Sequence, residues 1–168
     1  MNISIRAETT ADIQSIHEVT TSAFLTAAHT GHTEQYIVDA LRKSGALSIS
    51  LVAEQEGKVI GQVSVSPVSI SDHSEGWYGL GPISVLPSMQ GKGVGSRLMK
   101  EALLELNAIG SRGCVLLGDP NYYHRFGFKT YEGLVLPDVP KEYFQALLIQ
   151  GEIPQGRVAY HESFSATE

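Results

Sequence analysis

Apolar residues recur at every second position in some stretches of this chain and at every third or fourth in others, and the changes of period outline its elements. Ile3-Ser4-Ile5-Arg6 alternates as a strand does. Thr9 or Thr10 can then cap a helix through Phe24, with Ile13, Ile16, Thr20 and Ala23 near one face. Thr33 can cap a second helix carrying Ile37, Ala40 and Leu41, which stops after Lys43 because Ser44-Gly45 supplies a C-terminal glycine. Leu51 to Glu54 and Val59 to Ile70 read as antiparallel strands joined by the turn-prone Gln55-Glu56-Gly57-Lys58. A third strand of this meander runs from Trp77 to Val85, where Gly79, Gly81 and Pro82 predict a bulge, since proline cannot donate to the ladder.

The second half changes period. Val94, Leu98, Ala102 and Leu106 step by four and predict an amphipathic helix from Val94 to about Ile109, ended by Gly110. Gly113 to Gly118 reads as a buried strand, Tyr122 to Phe126 as one or two helical turns, and Phe128 to Tyr131 as a further strand. Pro137 and Pro140 bracket a loop before a short helix over Lys141 to Ile149, and Arg157 to Tyr160 forms a closing strand. Antiparallel strands followed by β-α-β predict an α/β (α+β) fold with a central mixed sheet flanked by helices. With 168 residues and no repeats, linkers or low-complexity tracts, one domain over 1–168 is expected.

Composition narrows the function classes. A hydrophobic fraction of 42% and a charged fraction of 18% belong to an ordinary globular chain. The net charge of -6 disfavours a nucleic-acid binder, which needs clustered cations to neutralise phosphates. Cys114 is the single cysteine, so no intrachain disulfide forms, and its apolar run Cys114-Val115-Leu116-Leu117 predicts a buried inert thiol. Met1 to Arg6 lacks a signal-peptide core and no run of about 18 apolar residues exists, so no membrane partner and a cytoplasmic location are expected. His29-Thr30-Gly31-His32 offers two histidines without a third ligand, so no metal is expected.

Gln90-Gly91-Lys92-Gly93-Val94-Gly95-Ser96 lies between a strand and a helix, where unpaired N–H groups and the helix dipole favour an anion. Glycines there permit positive φ and a close approach of backbone to phosphate. The spacing matches neither the P-loop nor the dinucleotide fingerprint. A glycine-rich turn that merely starts a helix is the alternative.

Gln90, Gly93 and Gly95 match the Gln/Arg-x-x-Gly-x-Gly/Ala cofactor motif of the GNAT superfamily of N-acetyltransferases, which the chain resembles. A second match is Tyr122-Tyr123-His124-Arg125-Phe126-Gly127-Phe128, similar to that family's tyrosine four residues before a Gly-Phe pair. Element order agrees from Ile3 to Tyr131, and the tail with Pro137, Pro140, Tyr143 and Phe144 resembles a subgroup of small bacterial acetyltransferases. The resemblance implies a GNAT-like acyl-CoA N-acyltransferase fold with acetyl-CoA as co-substrate. It implies that Ile83, Ser84 and Val85 carry the pantetheine arm and that Gln90, Gly91, Lys92, Gly93, Val94, Gly95 and Ser96 hold the phosphates, with Asp119, Pro120, Tyr123 and Phe126 also at the cofactor.

Transfer of an acetyl group to a primary amine needs an oxyanion stabiliser, a base and an acid for the departing thiolate. Backbone N–H groups near Ile83 suit the first role. Tyr123 suits the last, a phenol being protonated at neutral pH, while Tyr122 points about 100° away on the same turn. Trp77 to Val85 contains no acidic residue, so the base falls to Glu34, Glu75, His124 or a water chain, and Glu34 is taken as base or acceptor contact. Lys92, Arg97 and Lys100 add positive charge near the phosphate site. A small-molecule amine is the expected acceptor, attracted by Glu34, Asp39, Glu75 and Asp138 if these converge. A noncatalytic acyl-CoA-binding sensor and an acyltransferase acting on a protein lysine or a hydroxyl remain open, as does a homodimer through Trp77, Tyr78 and Tyr143-Phe144.

Overall fold

The computed structural model describes residues 2–27 and 30–168; His29 of the His29–His32 pair therefore lies outside the described residues. Strand β1 (Ile3–Ala7) leads through a 3-10 turn into helix α1 (Ile13–Leu25), and α2 (Glu34–Ser44) follows. Strands β2 (Ile49–Gln55), β3 (Lys58–Pro67), β4 (Ser69–Ile70) and β5 (Trp77–Val85) precede helix α3 (Val94–Ala108) and strand β6 (Gly113–Leu117). The short helix α4 (Pro120–Tyr123), β7 (Leu134–Val135), β8 (Phe144–Leu148) and β9 (Gly156–Ala159) complete the chain. The main sheet has the order β1-β2-β3-β5-β6-β8, antiparallel except for β5 against β6, and β4-β9-β7 form a small second sheet.

Helix α3 covers one face of the main sheet through Val94, Leu98, Met99, Ala102 and Leu106, all buried, which is the four-step stripe of the sequence. Helices α1 and α2 cover the other face, where Ile16, Val19 and Val38 meet Val52 and Val59. A third cluster, including Trp77, Val115, Phe144 and Val158, fills the space between the two sheets. Trp77 and Phe144 are thus core residues; of the aromatic residues considered for subunit contact, Tyr143 is the exposed one.

Three expectations need correction. Lys141 to Ile149 is not a helix: only Lys141–Tyr143 makes a 3-10 turn, after which β8 pairs antiparallel with β6 from Leu117↔Phe144 to Gly113↔Leu148. Gln145, Ala146 and two leucines favour a helix locally, but the free edge of β6 and the burial of Phe144, Gln145 and Ala146 outweigh that preference. Phe128 to Tyr131 makes only the bridge Lys129↔Ala146, because β8 rather than this segment runs along β6. The strand expected from Val59 to Ile70 divides after Pro67, where Val68 N–H turns to the Trp77 carbonyl and the chain enters the second sheet. Gly156–Ala159 is the expected closing strand, and it pairs with β4 and β7 in that second sheet.

Among the described residues, no helix is long and apolar enough to cross a membrane. The start of α1 is fixed by charge as well as by packing. Arg6 on β1 donates to both Asp12 carboxylate oxygens (2.7 and 3.0 Å) and to Glu54 on β2 (2.7 Å), while Thr9 N–H donates to Asp12. The Arg6 hydrogen bonds hold the Asp12 carboxyl well below the usual carboxylate range. A depressed carboxyl contributes stability that is complete above its unfolded pKa near 4 and lost as pH falls toward the folded value. Asp12→Asn should therefore lower stability at neutral pH by roughly 1–3 kcal/mol. Thermal unfolding across pH should show the difference from the parent shrinking steadily below about pH 4.

Candidate active site

The loop from Gln90 to Gly93 turns β5 into α3 with Gly91 at φ 74° and Gly93 at φ 84°, conformations that L side chains rarely adopt. A Cβ on either glycine would meet no protein atom within 4 Å, so the space over the loop is free for a ligand. Arg97 N–H closes the first helical turn on the Gly93 carbonyl at 3.1 Å. The N–H groups of Val94, Gly95 and Ser96 have no backbone acceptor among the described residues and stand at the positive end of a 15-residue helix. Here the chain forms a cavity of about 350 Å³, walled by Val85, Met89, the loop and the first helical turn on one side, and by Tyr122 and Arg125 on the other.

The cations differ from expectation. Arg97 points away and donates to the Ile3 carbonyl at 2.6 Å, tying α3 to β1. Lys92 and Lys100 are exposed and do not line the cavity. Arg125 supplies the positive wall instead, its guanidinium lying 4.4 Å from the Tyr122 ring centre and its Nε donating to the Tyr122 carbonyl at 2.8 Å. Gln90 faces the cavity, but its side-chain amide donates to the Val85 carbonyl at 3.0 Å and anchors the loop to the strand end.

Strand β5 loses its neighbour beside this loop. It pairs with β6 only from Trp77↔Gly113 to Gly79↔Val115; Leu116 and Leu117 then pair with β8 alone. The register against β3 passes from Val65↔Leu80 to Val63↔Ile83, so one extra residue bulges at Gly81-Pro82, as the sequence predicts. Leu86 N–H donates to the Ile60 carbonyl, and strand alternation then turns the polar backbone groups of Ile83 and Val85 toward the gap that β6 has left. Ser84 points elsewhere: it is buried, with its hydroxyl 3.2 Å from that of Thr20 on α1.

The gap opens into a second cavity of about 350 Å³. Leu80 to Ile83 and Leu116-Leu117 form its strand walls, Phe24, Glu34 and Ile37 its helical walls, and Tyr123, Tyr160 and Phe164 the remainder. Tyr123 enters from α4, whose start is capped by Asp119 accepting from Asn121 N–H at 2.9 Å. Adjacent on one turn, Tyr122 and Tyr123 face different cavities, their rings edge to face at 4.9 Å. Burial pushes the Tyr123 phenol up to about 12, and Tyr160 is shifted upward for the same reason. Glu34 stands at the first position of α2, where Oε2 accepts from the Thr30 hydroxyl at 2.6 Å and Oε1 is buried with no partner among the described residues.

Of the candidate bases, only Glu34 shares a cavity with Tyr123. Glu75 is exposed beside another cavity with His73 and Trp77, and His124 is exposed with Nδ1 3.0 Å from the Pro120 carbonyl. Asp39 is paired with His17 at 2.7 Å, and neither it nor Asp138 lines the Tyr123 cavity, so the four expected acidic residues do not converge. Asp119 and Pro120 serve as helix cap and first turn and line neither cavity; Phe126 packs against both tyrosine rings. The sequence pattern gave no cavity role to Tyr122, turned away from Tyr123, or to Arg125, although their three-residue spacing on one turn is visible in it. It also omitted Phe24, Tyr160 and Phe164, which nothing local distinguishes from core residues.

A family model for an acetyltransferase (GNAT) domain matches residues 46–130. The structure of a GNAT family acetyltransferase from Brucella melitensis in complex with acetyl-CoA is 48% identical, with a TM-score of 0.87 over 97% of this chain and 98% of that one. The N-acetyltransferase YhbS of Escherichia coli is 39% identical over 108 residues, a match that spans 64% of this chain and 65% of YhbS. The YhbS structure in complex with CoA superposes with a TM-score of 0.88 at 32% identity, covering 100% of this chain and 94% of that one.

A Cβ added at Gly118 would collide with the Tyr123 ring. Gly118→Ala should cost roughly 1–3 kcal/mol through overpacking. Adding Tyr123→Ala should return part of that loss, a coupling that a thermal-unfolding double-mutant cycle measures.

Proposed function

This chain belongs to the GNAT acetyltransferase family, and on that premise we propose that it transfers an acetyl group from acetyl-CoA to a primary amine, with Tyr123 as the acid and Glu34 as the base. The observation that carries this reading is the parting of β5 from β6, with the free helix start of α3 at one end of the gap and Tyr123 with Glu34 at the other.

The glycine loop fits a pyrophosphate: three unused N–H groups, two positive-φ glycines and the Arg125 guanidinium all favour a close anion. The open edge of β5 fits an extended arm bearing amides, which would take the place of the missing strand through Ile83 and Val85. Acetyl-CoA, when bound, supplies the thioester carbonyl. Ile83 N–H donates to the oxygen of that carbonyl. Glu34 takes a proton from the ammonium form of the amine, whose nitrogen then forms the new C–N bond as the C–S bond breaks. Tyr123 donates its proton to the departing sulfur and recovers one from the amine. The ammonium loses two protons in all; one ends on sulfur and the other leaves to solvent.

Burial suits the Tyr123 phenol to its role. A phenol near 12 stays protonated throughout the neutral range and can donate to the departing thiolate at any physiological pH. Glu34 lies in the first turn of α2, where the Thr30 hydroxyl holds Oε2 at 2.6 Å and so keeps the carboxylate at the wall of the Tyr123 cavity.

Calorimetric titration should show acetyl-CoA binding to the parent and none to Gly93→Glu, whose carboxylate fills the loop and repels phosphate. Absence of binding to the parent would overturn the reading. Tyr123→Phe should bind acetyl-CoA as the parent does but turn over about 10²–10⁴-fold more slowly. Unchanged turnover would remove the acid role. The parent's rate should show no loss from tyrosine ionisation up to about pH 10, because the phenol is shifted upward.

A further inference from the structure

The cavity that holds Tyr123 is apolar on nearly every side. Phe24, Ile37, Leu80, Leu116 and Phe164 supply hydrocarbon and aromatic surface from α1, α2, both parted strands and the C-terminal 3-10 turn. Its polar lining residues are Tyr123, Tyr160 and Glu34, so among the described residues Glu34 carries the single charge and no cationic side chain lines the wall. A buried carboxylate oxygen without a donor is costly, and Glu34 Oε1 is such an atom among the described residues. Thr30 holds the other oxygen at 2.6 Å, so the carboxylate is kept in place rather than free to turn to solvent.

From these features we propose that the acceptor is a small monoamine carried on an apolar or aromatic body, its ammonium group bound by Glu34. This rests on the acetyltransferase reading above and specifies its second substrate. The wall contacts reward a body without further polar groups, since each buried polar group left unpaired counts against binding. A free amino acid is disfavoured because its carboxylate would lie in a cavity whose described lining holds one negative charge and no positive one. A polyamine is disfavoured because its second and third ammonium groups would find no carboxylate beyond Glu34. The volume of about 350 Å³ must also admit the acetyl group, which leaves room for a compact body rather than an oligomer or sugar.

The test is initial-rate acetylation, followed by thiol release, of phenethylamine, hexylamine, spermidine, phenylalanine and a lysine-containing peptide. Acetyl-CoA binding is measured separately by calorimetry. The expected result is a kcat/KM for phenethylamine or hexylamine at least about 10-fold above those for the other three. Glu34→Gln should lower kcat, as loss of the base requires, and also raise the KM for the monoamine by about 10-fold or more, while leaving acetyl-CoA affinity unchanged. Preference for spermidine, phenylalanine or the peptide would overturn the proposal, and so would failure to acetylate either monoamine by a protein that binds acetyl-CoA. A parent protein that does not bind acetyl-CoA would instead fail the acetyltransferase reading itself. Should Glu34→Gln not fold, the ranking of amines by the parent still decides the matter.

Discussion

Strands β5 and β6 run parallel for three residue pairs and then part, and the arrangement of the site depends on where that ladder stops. A strand that loses its neighbour exposes N–H and C=O groups which must find other partners. β6 keeps β8 along its whole length on its other edge, so past Val115 its β5-facing groups border the same gap. β5 keeps β3 on one side and offers the polar groups of Ile83 and Val85 on the other. The gap is thus a strand-shaped vacancy, suited to an extended ligand that carries amides of its own.

The surrounding packing keeps the gap from closing. Trp77 lies against Gly113, where a Cβ would collide with its ring, and so fixes the two strands at the end where they still pair. The bulge at Gly81-Pro82 turns β5 away beyond that point. The side-chain amide of Gln145 on β8 donates to the Gly118 carbonyl at 3.0 Å, steadying the turn from which α4 brings Tyr123 back over the opening. Helix α3 begins just past the far end of β5, so its unused N–H groups face the same groove that the strand edge leads into.

Two neighbouring tyrosines divide the groove according to helical geometry. A step of one residue on α4 turns the side chain by about 100°, which sends Tyr122 to the glycine loop and Tyr123 to the apolar cavity. Burial sets their chemistry apart as well, since Tyr123 is shifted upward by its surroundings while Arg125 lies over the Tyr122 ring. The glycine-loop cavity is therefore polar and backbone-rich, and the Tyr123 cavity is apolar with one carboxylate among its described lining residues.

Local rules carried much of this in the sequence. The four-step stripe of α3 and the glycine that ends α2 depend on neighbours a few residues apart, as do the bulge at Gly81-Pro82 and the positive-φ glycines at 91 and 93. Each could be read from the residue types alone. The family motif likewise lies in two short segments around Gly93 and Tyr123. Long-range pairing decided the rest. Phe144–Leu148 became a strand because β6 had a free edge to fill, which outweighed a local preference for helix. Arg97 went to the Ile3 carbonyl and Arg125 to the groove because the packing of α3 and α4 set their directions, which charge alone does not encode. Glu34 joined Tyr123 across 89 positions of sequence only because α2 packs beside the parted strands. Spacing along the chain fixes the period of an element and the conformation of a turn, whereas a cavity belongs to the elements that enclose it and exists only once they are packed.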